Sequence, residues 1–210
     1  MKQVIFDLDG TLVDSRKGIV NSINHVRREI YGLPPLDEEF VVRLMNGLKA
    51  DLAQEFYGVE TYEERARELF EHHYAGECLR HARCYPGIVP MLERLRDASC
   101  RLFVATNAPT HTSELILRNC HIEGFFDDII GADRVRKPKP EPDMLLQILQ
   151  KSRASGSWMV GDSLKDVMAA KAAGIAPIFV TWGYSPEKLR DRRIERHAGN
   201  PGEVVEIVFK

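Results

Sequence analysis

Between residues 102 and 180, short apolar runs alternate with stretches of helical period, and no other feature constrains the chain's fold as strongly. Leu102-Phe103-Val104-Ala105, Asp128-Ile129-Ile130, Trp158-Met159-Val160 and Pro177-Ile178-Phe179-Val180 read as buried strands. Helices are predicted between them over 111–120, 141–151 and 163–173, the last stopping at Gly174. Val4-Ile5-Phe6 adds a fifth apolar run at the start of the chain. Strands and helices in this alternation imply an α/β fold, a Rossmann-like doubly wound parallel sheet.

The stretch that follows the first run breaks the pattern. Ile19, Ile23, Val26 and Ile30 mark one face of a helix that Asp14-Ser15 caps and Gly32 with Pro34-Pro35 ends. Further helices are expected around 37–45, 49–57 and 61–75, with no strand before residue 100 in this block. Tyr85-Pro86-Gly87 punctuates the chain before a helix carrying Ile88, Met91, Leu92 and Leu95. The expected organisation is a core of residues 1–14 and 84–210 with an all-helical cap, 15–83, inserted after the first strand. An insertion at that point is placed to act as a lid, with Asp14-Ser15 and the Cys84 to Gly87 segment as hinges. Segment 185–198 is ambiguous, and Asn200-Pro201 opens a terminal helix through Val205 and Val208.

Chemistry concentrates where the predicted strands end. Asp7 and Asp9 follow the first run directly and Gly10 permits a sharp turn there, so two carboxylates meet at the carboxyl end of a strand, where open α/β sheets bind ligands. Acids this close repel unless a cation or a shared proton compensates, which favours a hard, oxygen-seeking ion such as Mg2+. Thr106-Asn107, the loop with Lys137 and Lys139, and Gly161-Asp162-Ser163 stand after three other strands. Together they supply a nucleophile, further carboxylates, hydroxyl and amide donors and a cation, the parts that phosphoryl transfer needs.

These motifs resemble those of the haloacid dehalogenase superfamily, in particular its helical-cap phosphatases of the phosphoglycolate phosphatase and β-phosphoglucomutase branch. Asp7-x-Asp9-Gly10-Thr11, Thr106-Asn107, Lys137-Pro138-x-Pro140 and Gly161-Asp162-Ser163-x-x-Asp166 match its four motifs in order. The resemblance implies sheet order 3-2-1-4-5 and Asp7 as the nucleophile that forms an aspartyl phosphate. Asp9 is assigned the acid-base role, because the leaving alkoxide must gain a proton and the attacking water must lose one. Mg2+ is expected at the Asp7 and Asp162 carboxylates and the Asp9 carbonyl, with Asp166 orienting the surroundings. Gly10, Thr11, Thr106 and Asn107 would contact the phosphoryl group. Lys137 and Lys139 both precede prolines and spacing alone does not choose between them. The family pattern implies Lys137.

The implied activity is hydrolysis of a small-molecule phosphate monoester, of phosphoglycolate or sugar-phosphate type. A phosphomutase shares the same core chemistry and is the nearest alternative. Halide hydrolysis fits poorly with the second acid, Asp9, and the metal-type Asp162, and a phosphonate hydrolase is disfavoured by the Asn46-Gly47-Leu48 context of Lys49. A signalling receiver domain would be shorter and carry its acceptor on a later strand. Arg16, Lys17, Arg43 and Lys49 are the candidate cap contacts for an anionic tail, with Arg43 and Lys49 preferred.

A net charge of -2 gives no general affinity for nucleic acid or an anionic membrane, and the basic run Lys188 to Arg196 is interleaved with acids. No stretch is long and apolar enough to span a bilayer. Cys78, Cys84, Cys100 and Cys120 lack Cys-x-x-Cys spacing and read as reduced thiols. A cytoplasmic monomer or homodimer acting on a phosphorylated metabolite is expected.

Overall fold

A computed structural model describes residues 1–48, 51–152 and 154–210. Its main sheet is parallel throughout, built from β1 (Lys2–Phe6), β4 (Arg101–Ala105), β5 (Asp128–Ile130), β6 (Gly156–Gly161), β7 (Ala176–Val180) and β8 (His197–Ala198). The order β5-β4-β1-β6-β7-β8 is the expected 3-2-1-4-5 with one short edge strand added from the ambiguous segment. β1 is central, with Val4 opposite Leu102 on one side and Trp158 on the other.

Side-chain alternation along these strands builds two cores. Val4 and Phe6, Leu102 and Val104, and Val160 point to one face with α5 (Ile88–Asp97), α6 (Thr110–Asn119) and α9 (Pro201–Phe209). Ile5, Phe103, Ala105 and Met159 point to the other, against α7 (Asp143–Lys151) and α8 (Leu164–Ala172). Phe6, Phe103 and Phe179 lose essentially all contact with solvent, each worth about 2–3 kcal/mol of burial. Both sheet faces are covered, which explains the near-continuous apolar runs in the sequence.

Four helices lie between β1 and α5: α1 (Arg16–Tyr31), α2 (Glu38–Met45), α3 (Leu52–Tyr57) and α4 (Glu64–His81). Ile19, Ile23 and Val26 are buried as their spacing required, and the apolar cluster containing them runs on into the β1 face of the core. Helix α4 extends six residues past the expected end at residue 75. The block is bracketed by a feature its sequence pattern hid. β2 (Val13–Asp14) and β3 (Arg83–Cys84) pair antiparallel, Val13 with Cys84 and Asp14 with Arg83, where the chain leaves and rejoins the core. Two-residue strands leave no periodicity to read.

Candidate active site

The carboxyl ends of β1, β4, β6 and β7 converge on Asp7. Beyond β1 the amides of Thr11, Leu12 and Val13 all donate to the Leu8 carbonyl, a tight turn that requires the positive φ of 79° at Gly10. A Cβ at Gly10 would stand 2.4 Å from Asp162 Oδ2, so glycine is needed for space as well as for conformation. Gly10 thus forms the floor beneath Asp162, and among the described residues the buried Thr11 hydroxyl has no hydrogen-bond partner.

Asp7, Asp162 and Asp166 are each buried, and their carboxylate oxygens lie within 4.8 Å of one another. The cation among them is Lys139. Its Nζ is 2.8 Å from Asp7 Oδ1 and 2.6 Å from Asp166 Oδ1, and the residue is only 3% exposed. Lys137 is exposed and its backbone N–H donates to Asp143 Oδ2 at 3.2 Å, which corrects the expectation that it points into the site. The reason is the path of the loop. Asn107 donates from Nδ2 to the Lys139 carbonyl at 2.8 Å and accepts from the Lys139 N–H at 3.0 Å, locking Lys139 against the end of β4. Asn107 therefore positions the lysine's backbone. Thr106 is buried beside it, its Oγ1 accepting from the Ala108 N–H at 3.1 Å.

Asp166 Oδ2 accepts from the Ser163 N–H at 3.1 Å and the Ser163 hydroxyl at 2.6 Å, closing the capping box that starts α8. Its second oxygen is thereby free to hold Lys139. Asp162 Oδ2 accepts from the Tyr184 N–H at 2.7 Å and more weakly from Asn46 Nδ2 at 3.4 Å. Asp9 turns away from this cluster toward the helical insertion: Oδ1 accepts from the Ser15 hydroxyl and, at 3.4 Å, from the Tyr74 hydroxyl. The Tyr184 hydroxyl in turn lies 3.0 Å from Ser15 Oγ and accepts from the Ser15 N–H at 2.9 Å. Ser15 is the N-cap residue of α1, yet its side chain serves Asp9 in place of the helix.

Burial dominates the electrostatics. It raises the Asp7 carboxyl to about 7, although Lys139 works against the shift. Burial also raises Asp9 against the Ser15 and Tyr74 hydrogen bonds, and lifts Asp162 far above the usual carboxylate range. Burial disfavours the charge on Lys139, but Asp166 and Asp7 outweigh it and hold the ammonium charged. Three buried carboxylates therefore gather around one ammonium, which pairs directly with two of them. The buried carboxylates of Asp7, Asp162 and Asp166 form a set of oxygen donors that fits a hard divalent cation.

The other candidates fall outside this cluster. Arg43 is exposed on α2 with its guanidinium 5.5 Å from the centre of the Phe40 ring, and Lys49 lies outside the described residues. Arg16 pairs with Asp14 at 2.6 Å, and Lys17 is exposed. Sequence reasoning missed Ser15, Asn46, Tyr74, Lys165 and the Trp182 to Ser185 segment. That segment follows β7, so the same rule that flagged the other strand ends applied to it. A Cβ at Gly183 would stand 2.2 Å from the Gly10 carbonyl oxygen, which seats this loop directly on the β1 turn. Lys165 Nζ donates to the Met45 carbonyl at 2.6 Å and Asn46 Nδ2 to Ser185 Oγ at 2.8 Å, so the end of α2 is fastened over the site.

A family profile described as haloacid dehalogenase-like hydrolase matches residues 4–180. A phosphoglycolate phosphatase of Rhodospirillum rubrum is 36% identical over 200 residues, spanning 90% of this chain and 83% of its own. One from Aquifex aeolicus is 29% identical over 210 residues, spanning 99% and 97%. Among solved structures, a haloacid dehalogenase-like family hydrolase from Streptococcus pneumoniae superposes with a TM-score of 0.81 at 27% identity, covering 99% of this chain and 98% of its own. Sequence motifs, sheet order and relatives agree, and the chain belongs to the haloacid dehalogenase-like hydrolases.

Proposed function

We propose that this hydrolase is a Mg2+-dependent phosphatase of a small phosphate monoester, phosphoglycolate or a sugar phosphate, working through an aspartyl phosphate on Asp7. The observation that carries this reading is the buried chain Asp7–Lys139–Asp166 with Asp162 beside it at the ends of neighbouring strands. The relatives named as phosphoglycolate phosphatases support the substrate class. No described helix is long and apolar enough to cross a membrane, and free cysteines suit a cytoplasmic location.

The Asp7 carboxylate attacks phosphorus and the ester oxygen leaves, taking a proton from Asp9. Asp9 then accepts a proton from the water that attacks the aspartyl phosphate, which releases inorganic phosphate and restores Asp7. Ser15 and Tyr74 hold the Asp9 carboxyl in place through both halves. Lys139 and the Thr106 hydroxyl offer positive charge and a donor to the transferring oxygens without moving. The Asp7 and Asp162 carboxylates and the Asp9 carbonyl would hold Mg2+, which when bound would supply further positive charge to phosphoryl transfer. Residues 15–83 act as the lid, excluding bulk water and selecting the substrate.

Phosphate release from phosphoglycolate, sugar phosphates, nucleotides, pyrophosphate and an aryl phosphate, with Mg2+ and with excess chelator, tests the proposal. Mg2+-dependent hydrolysis of a small monoester is the expected result. Failure to hydrolyse any of them overturns it, and conversion of a sugar phosphate to its positional isomer in place of phosphate release identifies a mutase.

A further inference from the structure

The return strand of the helical insertion carries a thiol that meets a second one on the core. Cys84 closes β3, where it pairs with Val13 of β2, and Cys120 is the residue that ends α6. Cys84 Sγ donates to the Cys120 carbonyl oxygen at 4.0 Å. Both residues are partly exposed, whereas Cys78 and Cys100 are only 1% and 3% exposed. Asn119 Nδ2 donates to the Leu79 carbonyl at 3.4 Å, so the end of α6 also touches the end of α4. The pair thus sits at the seam between the insertion's exit and the core. Neither residue takes part in the phosphoryl site.

We propose that Cys84 and Cys120 form a reversible dithiol/disulfide site that reacts with low-molecular-weight disulfides and, when oxidised, fastens the return strand β3 to α6. One thiol loses its proton and, as the thiolate, displaces one thiolate from the small disulfide to become a mixed disulfide. The other then loses its proton and attacks that cysteine's sulfur, expelling the second small thiol. The sum is two cysteine thiols plus one small disulfide giving one protein disulfide and two small thiols, so hydrogen and electrons balance. The consequence for turnover rests on the lid reading above: a bond across the seam restrains the strand about which the lid must move.

The full-length reduced protein is incubated with glutathione disulfide, quenched by alkylation and mapped by mass spectrometry. Loss of two hydrogens with a peptide joining Cys84 to Cys120 is expected. In Cys84→Ser and in Cys120→Ser the reaction should stop as a glutathione adduct on the remaining cysteine of the pair, with no link formed. Absence of the link, or a link through Cys78 or Cys100, overturns the proposal. Oxidation should slow backbone hydrogen exchange across β2 and β3 and lower kcat by about fivefold or more, both reversed by a dithiol reductant and both absent in Cys84→Ser. Unchanged exchange and kcat in fully linked protein overturn the hinge consequence. A reduced protein that hydrolyses no phosphate ester would sink the phosphatase reading alone, because mass and exchange still decide the thiol site.

Discussion

Lys139 Nζ lies 2.8 Å from Asp7 Oδ1 and reaches Asp166 on its other side, so one buried ammonium answers for two of the carboxylates that crowd the end of β1. Replacing it leaves those charges uncompensated in a site closed to water, which costs about 3–5 kcal/mol when one partner of a buried pair is removed. Lys139→Met should therefore lower kcat by about 10²- to 10³-fold and also lower Tm, while Lys137→Met leaves both unchanged. Steady-state kinetics and thermal melts on the two variants check this. Similar losses in both would return the role to Lys137.

Asp7→Asn should abolish turnover with the fold intact. An amide matches the carboxylate in shape but is a poor nucleophile, and the Asp7 N–H bond to the Val160 carbonyl at 2.9 Å does not depend on the side chain. Circular dichroism alongside phosphate release separates chemistry from structure. A folded variant at near wild-type rate would refute the nucleophile.

Asp9→Asn should cost about 10²- to 10⁴-fold, with the largest loss for alkyl phosphates, whose leaving groups most need a proton. Ser15 and Tyr74 remain to hold the amide, so geometry is kept. A uniform loss across aryl and alkyl esters would make Asp9 structural.

The buried acids also predict how pH acts on the metal-free protein. Burial raises Asp7 to about 7 and lifts Asp9 and Asp162 as well. The native state therefore keeps protons that the unfolded chain has already released. Their contribution to stability is full below the unfolded carboxylate range and is lost as pH rises through the raised native values. From about pH 5 to about pH 8 the metal-free protein should lose on the order of a few kcal/mol. Mg2+ should restore more Tm at the upper end than at the lower. Melts with and without chelator give the readout, and a Mg2+ response independent of pH would argue that these acids do not form its site.

Apart from the short edge strand β8, the sheet was legible because its strands are largely buried on both faces and so appear as apolar runs, and Asp7, Thr106 and Asp162 were legible because each stands at or just past the end of such a run. Lys139 was not. Two lysines two residues apart, each before a proline, differ only in which one the Asn107 clamp draws inward, a contact between segments 32 residues apart. β2 and β3 were invisible for a related reason, being defined by pairing across the whole insertion. Tyr74 and Tyr184 reach the Asp9 carboxylate and its Ser15 partner from a cap helix and from the loop after β7. Aromatic residues in a single sequence read as core, and only the folded chain brings these hydroxyls to the acid.

The end of α2 is attached over the site by two hydrogen bonds. Asn46 Nδ2 donates to Ser185 Oγ at 2.8 Å and Lys165 Nζ to the Met45 carbonyl at 2.6 Å, two bonds that join the end of one cap helix to the core. Burial lowers the Lys165 ammonium, so its charge is already disfavoured and the bond to Met45 compensates part of that cost. Each bond is worth about 1 kcal/mol or somewhat more, and losing both should favour an open lid. The double variant Asn46→Ala with Lys165→Met should raise KM about tenfold or more, with a smaller effect on kcat, because the phosphoryl site itself keeps Asp7, Asp9 and Lys139. Hydrogen exchange should accelerate in α2 and stay unchanged in β1 and β4. A variant that loses kcat with KM and α2 exchange unaltered would show that these bonds tune the acids, Asp162 above all, and do not hold the lid.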